Sequence, residues 1–230
     1  MKNTDGTEAA KRAAGESAAD LVADGDLVGL GTGSTAAHAV RRLGERVDSG
    51  LDARGVATSY QSRELAREAG VPLESLADVA RVDVAIDGAD QVADGDLVKG
   101  GGAAHAREKV VDAAADRFVV VADDSKLADA LSHPVPVEVL PDARATVRDA
   151  LRGAGGEPTL RAAERKDGPV VSDNGNLVFD CDFGTVSDPD GLAVRLSAMP
   201  GVLEHGLFVG LADELHVGAA DGSVSTRSLR

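Results

Sequence analysis

Over the first hundred and thirty residues, short apolar runs alternate with stretches of helical periodicity, a pattern that predicts βαβ units. Residues 27–30 read as a strand, followed by a glycine loop and a helix from near Ser34. In that helix Ala37, Val40, Leu43 and Val47 recur at helical spacing. Residues 56–58, 82–86 and 118–121 are further buried strands, and a helix over 103–115 precedes the last of them. Beyond Pro134 the texture changes. A strand at 135–140, a helix at 143–151, strands at 159–162 and 176–181, a helix from Pro189 to Met199 and a short strand near Val202 give a β-α-β-β-α-β order. That is the split ferredoxin-like arrangement, with Pro189 well suited to a first helical position. Glu214 to Val217 and Ser223 to Thr226 read as a closing hairpin around Asp221-Gly222, with the C-terminus rejoining the first domain.

One heptapeptide occurs twice. Val22-Ala-Asp-Gly-Asp-Leu-Val28 returns unchanged as Val92-Ala-Asp-Gly-Asp-Leu-Val98, each copy running into glycines and then a helix. A single echo seventy residues apart is no solenoid. It reads as one local solution used twice (an Asp-Gly turn, a short strand, a glycine bend) or as coincidence in a chain rich in Asp and Ala.

Composition narrows the function class. Apolar residues make up 43% of the 230 residues, but the aromatics are only four Phe and one Tyr, so the core is built from Val, Leu and Ala. The formal charge of -15 repels phosphate backbones and anionic lipid, so neither a nucleic-acid partner nor a membrane partner is expected. Six lysines stand against eighteen arginines, and the acidic balance resembles salt-adapted archaeal proteins, where salt of about 1 M shortens the screening length to about 3 Å. An ordinary acidic protein of the cytoplasm is the alternative. Cys181 is the single cysteine, which excludes an internal disulfide. The polar, charged start up to Leu21 does not resemble a signal peptide, and no apolar run reaches membrane-span length, so a cytoplasmic location is expected.

Three motifs carry chemistry. Gly29-Leu-Gly-Thr-Gly-Ser-Thr35 follows an apolar run and opens a helix, so backbone N–H groups, hydroxyls and the helix dipole can converge on an anion. It lacks the lysine of a nucleotide P-loop, and a simple N-cap at Ser34 is the competing reading. Asp87-Gly-Ala-Asp90 closes another buried strand, where open sheets bind ligands; a solvated turn is the alternative. In Lys99-Gly-Gly-Gly-Ala-Ala-His-Ala-Arg-Glu108, Lys99 can hold a developing oxyanion and the glycines admit substrate to the backbone. Ala104, Val111 and Ala115 share Glu108's side of the predicted helix, so its carboxylate borders an apolar face and suits a general base for a weakly acidic C–H. A salt bridge to Lys109 or Arg107 is the alternative. Arg107 falls among apolar positions with no partner evident in the sequence. Lys126, in Asp123-Asp-Ser-Lys126, can close on a phosphate or stand alone on the surface. The five histidines show no metal-ligand spacing and read as structural or exposed.

In order and spacing these residues resemble ribose-5-phosphate isomerase of the A type. Gly31 to Thr35 match its glycine-threonine-glycine-serine-threonine loop, Asp87 to Asp90 its aspartate-glycine-alanine-aspartate segment, and Lys99 to Gly102 its lysine-glycine run. Arg107, Glu108 and Lys109 match its arginine-glutamate-lysine triplet, and Ser125 with Lys126 its serine-lysine pair. Gln91 departs from the family's usual glutamate, which leaves its part in binding open. The resemblance implies an α/β fold: a Rossmann-like, mostly parallel sheet domain over 1–131 plus 205–230, and a smaller α+β ferredoxin-like domain inserted over 132–204. It implies Glu108, Asp87 and Lys99 as catalytic residues. Sugar-phosphate contacts are implied from Thr32, Gly33, Ser34, Thr35, Asp87, Gly88, Ala89, Asp90, Lys99, Gly100, Gly101, Gly102 and Lys126. No cofactor and no metal are implied, and the assembly expected is a homodimer or homotetramer. The activity implied is interconversion of D-ribose 5-phosphate and D-ribulose 5-phosphate through a cis-enediolate, a step of the pentose phosphate pathway. A related sugar-phosphate isomerase or deaminase, a non-catalytic sugar-phosphate sensor and, more remotely, a magnesium phosphotransferase are the competing functions.

Overall fold

The computed structural model describes residues 6–165 and 167–230; residues 1–5, at the start of the first expected domain, lie outside it. Packing divides the chain into two compact units. Of the described residues, one holds 6–89 together with Arg107–Leu127 and Leu211–Arg230; the other holds Asp90–Ala106 and Ala128–Gly210.

The first unit is a doubly wound α/β layer. Its elements, numbered along the whole chain, are α1 (Glu8–Ala19), β1 (Leu27–Leu30), α2 (Ser34–Asp48), β2 (Arg54–Ala57), α3 (Tyr60–Glu68), β3 (Leu73–Glu74) and β4 (Val82–Gly88). The chain re-enters the unit through the helix α4 (His105–Ala113) and β7 (Ala115–Asp123), and closes with β13 (Glu214–Gly218) and β14 (Val224–Ser228). The strand order is β14-β13-β7-β4-β1-β2-β3, and every pairing is parallel except β13 with β14. Val28, Leu30, Val84, Ile86, Val119 and Val121 form a core with Ala14 and Ala18 of α1 and Ala39, Val40 and Leu43 of α2. Gly29 faces the opposite side, where a Cβ would lie 2.6 Å from Val111 of α4. Helices therefore cover both faces of the central strands, which is why those strands read as unbroken apolar runs.

The second unit contains β8 (Val135–Val139), α5 (Arg144–Gly153), β9 (Glu157–Leu160), β10 (Leu177–Asp182), α6 (Pro189–Ser197) and β11 (Val202–His205). Their antiparallel sheet runs β11-β8-β10-β9, placing the first strand beside the third as the split motif requires. Asp188 caps α6 by accepting from Gly191 N at 2.9 Å, and Pro189 is the first helical residue. A second, three-stranded sheet combines β5 (Gln91–Ala93), β6 (Asp96–Val98) and β12 (Leu207–Phe208) in the order β12-β6-β5. Ala93, Val98 and Leu207 share one core with Val135, Val137, Phe179 and Leu196. Asp90–Ala106 thus packs with the second unit, and the packing units are drawn at different residues from the sequence boundaries 131/132 and 204/205.

Several elements depart from the periodicity. The helix expected over 103–115 spans only His105–Ala113, because Ala103 adopts φ +58° and Ala115 already pairs with Val82 in the sheet. Helices α1 and α3 and strand β5 have no counterpart among the expected elements; the Asp-Gly turn and short strand expected within 92–98 form the turn of the β5–β6 hairpin and β6.

Candidate active site

In the first unit the candidate residues follow the carboxyl ends of three neighbouring strands. From β1 the chain proceeds outward to β2 and β3; from β4 it proceeds the other way, to β7 and β13. The topological switch point therefore lies between β1 and β4, where open α/β sheets take their ligands. Gly31 to Thr35 leave β1, Asp87 lies at the end of β4, and Lys126 ends the short turn after β7.

Asp87 holds the first loop in place. Its side chain is fully buried, and its Oδ1 accepts from Thr32 N at 3.0 Å and Gly88 N at 2.7 Å. Any Cβ on Gly31 would overlap this carboxylate and meet Asp87 Cα at 2.6 Å, so the close approach requires glycine. The solvated-turn reading of Asp87 is overturned, since the group is enclosed by the loop it serves. Thr32 Oγ1 lies 3.0 Å from Thr58 Oγ1 and donates to Ser59 Oγ at 2.7 Å. The N-cap reading of Ser34 also fails: Gly33, at φ +118°, occupies the cap, Ser34 is the first helical residue, and no side chain caps α2. Its first-turn N–H groups lack intrahelical partners and suit an anion.

Two buried cations stand near these elements. Lys126 is 7% exposed, which overturns the surface-lysine alternative. Lys11 of α1, also 7% exposed, lies 3.8 Å from Glu8, which itself meets His38 of α2 at 3.4 Å. The sequence offered no signal for Lys11; one lysine in an Ala-rich helix carries no motif.

Glu108 sits in the first turn of α4 and is 3% exposed; Val111, three residues on in the same helix, is fully buried, while Ala104 precedes the helix. Ala115, expected on Glu108's side of the helix, belongs to β7 instead. Arg107 finds a partner that no spacing rule could name: its guanidinium lies 5.5 Å from the ring centroid of Tyr60, with Arg63 at 5.7 Å from the same ring.

In the second unit, Lys99 follows β6 with its N–H donating to Gly206 O at 2.8 Å. Its side chain is 2% exposed, with the ammonium 5.2 Å from the ring centroid of Phe208. Gly100 turns the chain at φ +105°, and Gly101 N donates to Asp90 Oδ2 at 2.6 Å. Asp90 thus grips the second glycine loop as Asp87 grips the first. Gln91 is occupied elsewhere: its Oε1 accepts from Ser132 N at 2.7 Å and His133 N at 2.8 Å. A neutral amide oxygen serves that purpose without adding charge.

His216 has structural partners. His216 Nδ1 lies 2.9 Å from Ser17 Oγ and its Nε2 2.9 Å from Glu214, which Arg117 also binds. This array ties α1 to β13. The Cys181 thiol is pushed up by burial to about 12, which keeps it protonated and unreactive.

The family model for ribose 5-phosphate isomerase A (phosphoriboisomerase A) matches residues 54–222. Ribose-5-phosphate isomerase A of Natronomonas pharaonis is 68% identical, covering 96% of this chain and 98% of its own. That of Halorubrum lacusprofundi is 66% identical over the same shares of the two chains. Among solved structures, ribose 5-phosphate isomerase A from Methanocaldococcus jannaschii is 42% identical with a TM-score of 0.90, covering 95% of this chain and 97% of that one. A D-ribose-5-phosphate isomerase in complex with phospho-erythronic acid is 41% identical with a TM-score of 0.91 over the same shares. The high-identity relatives come mostly from halophilic archaea, in keeping with the acidic composition. The chain belongs to the ribose-5-phosphate isomerase A family.

Proposed function

We propose that this chain interconverts D-ribose 5-phosphate and D-ribulose 5-phosphate through a cis-enediolate, with Glu108 as the base. The observation that carries the reading is the buried Glu108 carboxylate in the first turn of α4, in a chain at least 66% identical to two enzymes of that name. After ring opening, Glu108 takes the proton from C2 of the aldose and returns it to C1 as the hydroxyl proton moves from O2 to O1. Lys99 stabilises the negative oxygen, and Asp87 assists ring opening or the hydroxyl proton movement. The Thr32–Thr35 loop and Lys126 take the phosphate; Gly88, Ala89, Asp90 and the Gly100–Gly102 turn line the sugar. The phospho-erythronic acid bound by a relative supports the enediolate, because its planar carboxylate carries two oxygens and a negative charge as that intermediate does.

Both loops offer donors to an anion in a protein of formal charge -15, so attraction for the substrate is local. Our reading is of a cytoplasmic enzyme, a homodimer or homotetramer acting in the pentose phosphate pathway and needing no cofactor; light scattering distinguishes the two assemblies. Among the described residues no helix is long and apolar enough to cross a membrane. A coupled assay over several aldose phosphates and an amino sugar phosphate tests the activity. Turnover strongest with ribose 5-phosphate, without ammonia release, is expected; substrate-dependent ammonia release or binding without turnover would overturn the reading.

A further inference from the structure

The turn after Lys99 is three consecutive glycines, so no side chain of its own can fix its conformation. Arg161, immediately beyond β9, reaches it. Its Nη1 donates to Gly100 O at 2.9 Å and to Gly101 O at 3.3 Å. Its Nε donates to Asp180 Oδ2 at 2.9 Å, and its Nη2 donates to Asp180 Oδ1, a two-pronged pair with β10. Both side chains are largely buried, 12% and 18% exposed. Burial pushes the Asp180 carboxyl up, but the hydrogen bonds and charge of Arg161 outweigh it and hold the group below its ordinary value. Asp180 is therefore ionised at neutral pH. Main-chain bonds from Arg161 N to Val178 O at 2.9 Å and from Val170 N to Arg161 O at 2.9 Å anchor the base of the arginine.

The Gly100–Gly101 peptide is consequently gripped at both ends. Its oxygen takes Arg161, and its N–H donates to Asp90 Oδ2 at 2.6 Å. In a trans peptide these two groups point in opposite directions, so a cation on one and a carboxylate on the other set the plane of the unit. Rotating it would break both charge-assisted bonds at once.

We infer that Arg161, oriented by Asp180, is a positioning residue for the isomerisation: it fixes the turn that carries Lys99 and hence where the ammonium is presented. The inference rests on the reading of Lys99 as the cation for the developing oxyanion. A strut with no part in the reaction would lower thermal stability and leave turnover of the folded enzyme intact. A positioning residue acts on kcat, since a reacting group misplaced by about 1 Å loses about a hundredfold in rate.

The test compares Arg161→Met, Arg161→Lys and Asp180→Asn in the full chain, assayed with ribose 5-phosphate well below each variant's Tm. Arg161→Met is expected to lose about a hundredfold in kcat with KM within about twofold. Arg161→Lys keeps the charge without the planar fork and should recover part of that loss, leaving kcat down about tenfold. Asp180→Asn should fall between wild type and Arg161→Met, and combining it with Arg161→Lys should cost less than the product of the two effects. Unchanged kcat in folded Arg161→Met and Arg161→Lys, or a change confined to Tm or KM, would overturn the inference. Lys99→Arg, assayed in parallel, separates the two readings. Full activity in Lys99→Arg removes the premise about Lys99, whereas a crippled Lys99→Arg beside normal Arg161 variants sinks the role of Arg161 alone.

Discussion

The two glycine loops begin alike and end differently. Each follows a copy of the same heptapeptide, so Gly31 and Gly101 occupy the same place relative to Val28 and Val98. Each is gripped by one carboxylate of Asp87-Gly-Ala-Asp90: Asp87 Oδ1 accepts from Thr32 N at 3.0 Å, and Asp90 Oδ2 from Gly101 N at 2.6 Å. Their surroundings diverge. Val28 is flanked by the parallel strands β2 and β4, and its loop opens an uncapped helix. Val98 is paired antiparallel with β5 and β12, and its loop carries a buried lysine. Even the shared Asp-Gly behaves differently. Asp94 and Gly95 take φ +48° and +88° to close a two-residue hairpin, while Asp24 Oδ1 instead accepts from Asp52 N at 3.0 Å. Seven identical residues specify a turn and a strand; the pairing partners decide what the following glycines present. One loop offers amides and hydroxyls suited to a phosphate, the other a cation suited to a reacting oxygen.

Kinetics can break this division of labour. The largest effect is expected at the second loop, where Lys99→Arg should lower kcat by about 10²-fold or more, because one oxyanion donor is worth roughly 2.7–4 kcal/mol and a planar fork does not reproduce a compact ammonium. Unchanged kcat, or a loss carried by KM alone, would merge the two loops into one binding function. At the first loop, Thr35→Ala should raise KM for ribose 5-phosphate about tenfold with kcat within about threefold, the worth of one hydrogen bond to a charged group.

Stability sharpens the comparison. Gly31→Ala forces a Cβ into the Asp87 carboxylate and backbone and should cost about 1–3 kcal/mol in urea unfolding. For Gly101→Ala the three nearest atoms all belong to the Asp90 side chain, with contacts of 2.6 and 3.0 Å to its oxygens, and the change should cost less. Equal losses would show that the two grips are equally rigid. The smallest effect separates the heptapeptides themselves. Asp24→Gly loses its bond to Asp52 N and should destabilise by about 0.5–1.5 kcal/mol, while Asp94→Gly relieves a left-handed aspartate and should be close to neutral.

Much of this was legible in the chain itself. Leu27–Leu30 and Pro189 stood where periodicity and helix-start rules put them, because apolar runs and proline act locally. The split motif was readable for the same reason. What escaped was whatever depends on a partner distant in sequence. Helix α1 is Ala-rich and hides its buried face, and β5 is only three residues long, in a sheet completed by β12, more than a hundred residues on. Residue types and spacing single out Asp87, Lys99 and Glu108 as candidates. No spacing rule could reveal that Tyr60 receives Arg107, that Gln91 secures Ser132 and His133, or that Arg161 spans sixty residues to hold Gly100 and Gly101.

The central claim is that Glu108 moves one hydrogen between adjacent carbons, and isotope exchange tests it most directly. Ribulose 5-phosphate incubated with enzyme in deuterated solvent and followed by proton NMR should exchange at C1 with the wild-type chain. With Glu108→Gln, exchange should fall by about 10²–10⁴-fold while sugar-phosphate binding persists by calorimetry. Exchange at the wild-type rate in a folded, substrate-binding Glu108→Gln would contradict the account.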